Sequence, residues 1–385
     1  MDNELFLFGA STSSHQVEGG NHNNWTEWEK KRGKGEDYIS GRACDHYNRF
    51  REDFDIAKSL SHNAHRFSIE WSRIEPQKGR FNEKEIEHYR EVLHALRERG
   101  IEPLFTIWHW TLPIWLSDEG GILAKDFPNY FSRYAEKLAL AFKKEVKFWI
   151  TVNEPEVVSW NSYAKGVWPP QGHSMFISHR ARANLIKAHR ETYRKLKNID
   201  PSFRVGAAMN FQWFESAGGI VNDVMKWVVD RLGNFYFLDR IRTSADFIGC
   251  NYYFHNRLDY GFIKNKNEET SDMGWEIYPE GIYRVLMDLK KYHLPIYITE
   301  NGLADARDVH RESFIARHIS WMQKAIDEGV DVRGYLHWSL LDNFEWDKGF
   351  SPRFGLVEID YQTLERRIRP SAFVYKKIIE TWHAG

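Results

Sequence analysis

Two glutamates stand where a pair of carboxyl groups could carry out acid–base and nucleophilic chemistry at one carbon. Glu154 lies in Thr-Val-Asn-Glu-Pro and Glu300 in Ile-Thr-Glu-Asn-Gly. Each has a plainer reading. Asn153 can cap a following helix, with Glu154 opposing the helix dipole and Pro155 in the first turn. Asn301-Gly302 is a strong turn dipeptide. Taken together these readings weaken, because neither explains an acid at the end of two separate strand-like runs. Such a pair suits glycoside hydrolysis, in which one carboxylic acid protonates the leaving oxygen while another carboxylate attacks the anomeric carbon.

Groups able to bind hydroxyls, interleaved with aromatic rings, occupy comparable places along the chain. They include Gln16 and Glu18, Arg66, His109 and Trp110, Asn251, Tyr252 and Tyr253, Asn301, Trp338, and then Glu345 and Trp346. Phe 25, Trp 16 and Tyr 18 raise the aromatic share to 15%. Much of this is core, but flat apolar rings also suit the C–H faces of sugars. No metal or cofactor is implied. The 17 histidines offer no HExxH or similar spacing, and His62 and His65 read as packing residues.

These residues need a frame. Short β-rich or apolar runs recur at 5–10, 64–69, 102–109, 147–153, 204–210, 246–253, 295–300 and 333–339. Segments with helical periodicity lie between them, such as 82–99, 127–144, 176–198, 279–292 and 310–328. Gly100 and Gly329 mark helix ends. Strand–helix alternation predicts parallel βαβ units, and eight of them fit an α/β fold of the closed (β/α)8 TIM-barrel type. An open doubly wound sheet is the rival, but Gly9-Ala-Ser-Thr-Ser13 lacks its Gly-rich phosphate turn. No linker or repeat interrupts 1–385, so a single catalytic domain is expected. In a barrel, the loops after the strands gather on one rim, which would collect every residue named above.

Lys+Arg 53 against Asp+Glu 54 leaves a net charge of −1 with no block of one sign, which argues against a nucleic-acid partner. No apolar run reaches the ~18 residues of a membrane span, and the N-terminus carries no basic-then-apolar signal. Cys44 and Cys250 cannot make a disulfide framework in a chain this long. A cytoplasmic protein with free thiols is expected, and the Asn24-Trp-Thr26 glycosylation acceptor is expected to be unused.

Over essentially its full length the chain resembles glycoside hydrolase family 1, the retaining β-glycosidases. The matching segments are Ser14-His-Gln-Val-Glu18-Gly, Arg66-Phe-Ser-Ile-Glu-Trp-Ser-Arg73-Ile, His109-Trp-Thr-Leu-Pro113, Thr151-Val-Asn-Glu-Pro155, Asn251-Tyr-Tyr253, Ile298-Thr-Glu-Asn-Gly302 and Trp338-Ser-Leu-Leu-Asp-Asn-Phe-Glu-Trp346. The resemblance implies Glu300 as nucleophile and Glu154 as general acid/base. It implies Gln16, His109, Trp110, Asn153, Tyr253, Glu345 and Trp346 as sugar-binding residues, with Trp338 as a platform beneath the sugar. Arg66, Asn251 and Tyr253 would support the nucleophile. On this reading Glu300 is ionised beside Arg66 and Tyr253, Glu154 is protonated at rest, and the two carboxyls are about 5–5.5 Å apart, the retaining spacing.

Departures from the family narrow the substrate. Phosphoglycosidase members replace the last-loop Glu-Trp, whereas Glu345-Trp346 is present here, and a carboxylate repels phosphate while accepting hydrogen bonds from hydroxyls. Lys348 reads as solvated surface. Glu154 separates the chain from the thioglucosidases, which carry Gln there. β-Glucosides, galactosides and fucosides are the expected glycones, on β-linked oligosaccharides or aryl and alkyl β-glycosides. The chain is short for the family, with savings expected in rim loops including 254–275, and hence a loose leaving-group preference. A transglycosylase, or a catalytically silent sugar-binding barrel, is the alternative.

Overall fold

The computed structural model describes residues 5–384. Eight strands run parallel around a closed ring: β1 (Leu7–Ser11), β2 (Ala64–Ser68), β3 (Glu102–Trp108), β4 (Phe148–Asn153), β5 (Arg204–Ser216), β6 (Phe247–Asp259), β7 (Ile296–Asn301) and β8 (Val332–Trp338). Each pairs with its successor, and β8 pairs back onto β1 from Leu7↔Gly334 to Ser11↔Trp338. The open-sheet rival is therefore excluded. The helices that cover the ring are α1 (His46–Ser59), α2 (Glu83–Glu98), α3 (Phe127–Phe142), α4 (Met175–Ile199), α5 (Tyr236–Ile241), α6 (Glu280–Leu289), α7 (Arg311–Asp327) and α8 (Pro370–Ala384). Among the described residues, no helix is long and apolar enough to cross a membrane.

The local reasons are plain in α2. Asn82 accepts a hydrogen bond from the Lys84 amide, and Glu83 and Glu85 sit against the positive end of the helix dipole. Ile86, Tyr89, Val92, Leu93 and Leu96 form its buried stripe. Gly100, at φ 66, lets the chain leave the helix in a left-handed conformation. Each large side chain on that stripe contributes about 1.5–3 kcal/mol of transfer free energy. Trimming Leu93 to alanine would remove about 2–5 kcal/mol.

Two apolar layers result. One fills the space between helices and strands; the other plugs the ring with Ala64, Leu104, Phe148, Ile150, Ala208, Phe247, Tyr297 and Leu336. Two residues further along the strands the interior turns polar, with Arg66 and Thr106 bonded to each other over 3.0 Å. That change of character marks the C-terminal end of the strands. The seam between first and last strands is clasped by α8, whose Tyr375 hydroxyl lies 2.9 Å from the Gly9 carbonyl and 3.0 Å from the Tyr335 carbonyl.

β5 and β6 run well past the expected 204–210 and 246–253. They pair in parallel to Ser216 and Leu258, above the ring, and a short antiparallel strand (Phe262–Ile263) folds back on β6. The start of the expected 254–275 loop is thus strand. These extensions are mostly half-buried and break up Phe211, Trp213, Phe214, Phe254 and Leu258 with polar residues, so they lack the near-continuous hydrophobic run that marks a buried parallel strand.

Candidate active site

Glu154 owes its position to an irregularity. Phe148 and Ile150 face the barrel interior, and strict alternation would next turn Val152 inward. The β4–β5 register instead shifts between Ile150 and Asn153, and Val152 packs in the outer core. A bulge of this kind re-aims side chains. Asn153 takes the inward place, and Glu154 follows in a left-handed conformation (φ 41, ψ 62), unusual for a residue with a side chain. Its amide donates to the Ala208 carbonyl over 2.7 Å, and Pro155 starts the next helix. The capping reading of this motif does not hold: no side chain caps the helix. The Glu154 carboxyl instead accepts from Asn210 at 3.0 Å and Asn251 at 2.9 Å, both at Oε1.

β7 has the matching defect. Cys250 pairs with Ile298 and Asn251 with Glu300, so Thr299 is the extra residue. Its carbonyl accepts from Ser11 and its hydroxyl donates to Asn251 at 2.6 Å. Asn301-Gly302 is not a turn. Asn301 is buried in the strand, donating to the Tyr252 carbonyl at 2.7 Å and accepting from Tyr335 at 2.8 Å. Gly302 is there because a Cβ would fall 1.7 Å from the Trp338 carbonyl oxygen.

The two acids live in different electrostatic surroundings. Arg66, itself buried, donates to Glu300 through Nη1 and to Asn153 through Nη2 at 2.6 Å. Tyr253 donates to the other Glu300 oxygen at 2.8 Å. Burial lifts Glu300 above the ordinary carboxylate value, while the guanidinium, the phenol and Asn251 all pull it down. The expectation of an ionised Glu300 rested on Arg66 and Tyr253 and did not count the burial. Glu154 has no cation in hydrogen-bond contact. Burial, then the charge of Glu300, push it up to about 7, and the amides of Asn251 and Asn210 temper the rise.

The acids open into a cavity of about 340 Å³. Gln16, His109, Trp110 and Tyr253 line it, as do Trp338, Glu345 and Trp346. His109 is neutral, since burial and then the nearby Arg66 charge hold its pKa far below the usual value. Its Nε2 accepts from Asn153 at 3.1 Å, which leaves a buried Nδ1–H with no partner among the described residues. Glu345 is pushed up to about 8 by burial, then by the charges of Asp347, Glu300 and Glu154. Gln16 accepts from Ser13 at 2.6 Å and spends its amide hydrogens on Asn343, the Phe344 carbonyl and, at 3.2 Å, Glu345. Trp110 donates to the Asn153 carbonyl at 2.9 Å and packs on Trp346, with ring centroids 4.7 Å apart.

The twelve residues expected to catalyse, bind the sugar or support the nucleophile thus meet at one end of the barrel, in two ranks. Nine line the cavity, the two acids included. Arg66, Asn153 and Asn251 stand behind them, bonded to the acids or to His109. Asn251, expected beside Glu300, also donates directly to Glu154. Glu18 lies elsewhere, buried against Arg73 and Tyr89. Lys348 is half-exposed at the mouth and pairs with Asp347 at 2.9 Å. His62 and His65 are buried packing residues. Asn210 went unnoticed from sequence, although it ends a recognised strand run, the one signal that could have found it. Trp168, which donates to Asp347 at 2.8 Å, and Trp275 in the outer wall sit in segments that carry no pattern.

The sequence profile of glycosyl hydrolase family 1 matches residues 3–241 and 230–383. The chain belongs to this family. Within it, the chain is 34% identical to beta-glucosidase A of Thermotoga maritima, over 98% of this chain and 97% of that protein. It is 31% identical to a beta-galactosidase of Sulfolobus acidocaldarius, over 97% and 94%. Among solved structures, a beta-glycosidase from Pyrococcus horikoshii superposes with a TM-score of 0.91 at 41% identity, covering 98% of this family 1 chain and 94% of its own. The Thermotoga maritima beta-glucosidase in complex with glucoimidazole superposes at 0.92 with 32% identity, over 98% of both chains.

Proposed function

We propose that this family 1 member is a retaining exo-β-glycosidase, with the whole chain acting as one catalytic unit on β-linked oligosaccharides or aryl and alkyl β-glycosides of glucose, galactose or fucose. The observation that carries the reading is the asymmetry of the two acids across a sugar-sized cavity: Glu300 ion-paired to Arg66, Glu154 held only by amides. The relatives named beta-glucosidase and beta-galactosidase support it.

Glu300 attacks the anomeric carbon while Glu154 gives its proton to the glycosidic oxygen; the C–O bond breaks and the aglycone departs. Both amides reach Oε1 of Glu154, so Oε2 is left to carry that proton. The ester formed at Glu300 no longer bears the charge that Arg66 and Tyr253 stabilised or that lifted Glu154. Glu154 therefore becomes more acidic, now an ionised base, and takes a proton from the water that opens the ester. Two inversions retain the β configuration. Trp338 and the His109 Nδ1–H serve the sugar in the cavity. The buried free thiols of Cys44 and Cys250 fit a reducing, cytoplasmic setting.

The test uses Glu154→Gln and Glu300→Gln with cellobiose and with p-nitrophenyl β-glucoside. Glu154→Gln should lose about 10²–10⁴-fold on cellobiose and less on the aryl glycoside, whose leaving group needs little protonation. Glu300→Gln should lose both. Retained cellobiose turnover in either variant overturns the assignment.

A further inference from the structure

The extensions of β5 and β6 carry a polar cluster that the chemistry above does not use. His255 is buried between two carboxyls: Nε2 lies 3.0 Å from a Glu215 oxygen and Nδ1 is hydrogen-bonded to Glu276. Its ring stacks on Tyr278, centroids 3.9 Å apart at 16°. One ring nitrogen faces each carboxyl, so the three groups form a hydrogen-bonded clamp. Its members come from three places: Glu215 from β5, His255 from β6 and Glu276 from the returning loop. The second Glu276 oxygen accepts from the Asn267 amide at 2.9 Å. Asn265 fastens the same loop to β6 through the His255 carbonyl and the Arg257 amide, at 2.6 and 2.7 Å.

What the clamp holds begins one residue earlier. Trp275 and Met273 line the catalytic cavity. The Trp275 indole packs on Phe254 at 4.6 Å, on Tyr253 at 5.9 Å and on Phe354 at 6.0 Å. Tyr253 is the residue that donates to Glu300, so this apolar wall adjoins the nucleophile. Loop side chains of this kind are normally mobile, and a wall that binds a departing group must be held still to be useful.

Resting on the β-glycosidase reading, we propose that His255, gripped by Glu215 and Glu276, is the positioning residue of the leaving-group wall. It fixes Trp275 so that the site selects aglycones presenting a flat or apolar face. The experiment compares two substrates that form the same glycosyl-enzyme: p-nitrophenyl β-glucoside, whose ring meets the wall, and β-glucosyl fluoride, whose leaving group is too small to touch it. In His255→Ala, kcat/KM on the aryl glycoside should fall about tenfold or more while that on the fluoride stays within about twofold. Glu276→Gln keeps the side-chain shape, removes the charge and carries the test should His255→Ala not fold. It should show the same split in milder form. An equal fall on both substrates, or an unchanged aryl glycoside in a folded variant, overturns the proposal. Failure of the parent enzyme on both substrates would instead overturn the glycosidase reading.

Discussion

Asn210 donates its amide to Glu154 over 3.0 Å from the rim of β5. That bond favours the charged carboxylate, so it lowers a pKa that burial and Glu300 have pushed up to about 7. Glu154 must hold a proton to act as acid, so kcat/KM on an unactivated glucoside should decline as pH rises through about 7. Removing the bond in Asn210→Ala raises the Glu154 pKa and extends the protonated range, moving that alkaline limb upward. A pH–rate profile checks it, and a limb that stays put or moves down refutes the assigned role.

Arg66 should set the opposite limb. It is buried and bonded at once to Glu300, Asn153 and Thr106. Arg66→Met leaves a buried carboxylate without its cation, a change that costs about 3–5 kcal/mol of stability in comparable pairs. The Glu300 pKa then climbs, and since the proposed nucleophile has to be ionised to attack, the acidic limb of kcat/KM should shift to higher pH. Urea unfolding and the pH profile give the two readouts. A variant as stable as the parent with an unmoved acidic limb would contradict the geometry.

Gln16 is largely occupied by protein partners, so under the proposed reading Glu345 is the acid that would meet the sugar's O4 hydroxyl. With its pKa pushed up to about 8, it carries a proton at neutral pH and can donate or accept. Such a group suits an equatorial or an axial hydroxyl. p-Nitrophenyl β-glucoside and β-galactoside should therefore agree within roughly 100-fold in kcat/KM, a gap of about 2.7 kcal/mol or less. Glu345→Gln, an uncharged mimic, should retain more of both activities than Glu345→Ala. Activity on one epimer alone would count against this.

Gly302 offers a structural test. A methyl group there would overlap the Trp338 carbonyl oxygen at 1.7 Å, backbone against which nothing soft can yield. Gly302→Ala should lower the melting temperature and weaken activity together, because β7 carries Glu300 and its paired neighbour β8 ends in Trp338. Calorimetry alongside kinetics decides, and an enzyme with both values unchanged would show that the contact relaxes freely.

Much of this was legible in the sequence, for identifiable reasons. The barrel strands are apolar runs buried on both faces, and the acids sit in short motifs whose family resemblance is specific. What stayed hidden depends on departures from regular periodicity. The bulges before Glu154 and at Thr299 cannot be read from alternation, because each breaks it. Asn153 and Asn301-Gly302 look locally like a cap and a turn, and only their long-range bonds show otherwise. The β5 and β6 extensions carry a mixed pattern, so His255 and its partners, separated by 40 and 21 residues, looked like ordinary loop polarity.

The clasp at the barrel seam has a consequence for how the enzyme comes to life. Arg66 and Glu300 meet across 234 residues of chain, and the tyrosine that pins β1 to β8 lies further along still, in α8. A nascent polypeptide emerging from the ribosome therefore owns every catalytic side chain before it has a working pocket. Turnover should begin only when α8 has docked, which makes the appearance of product a stopwatch for the closing of the ring.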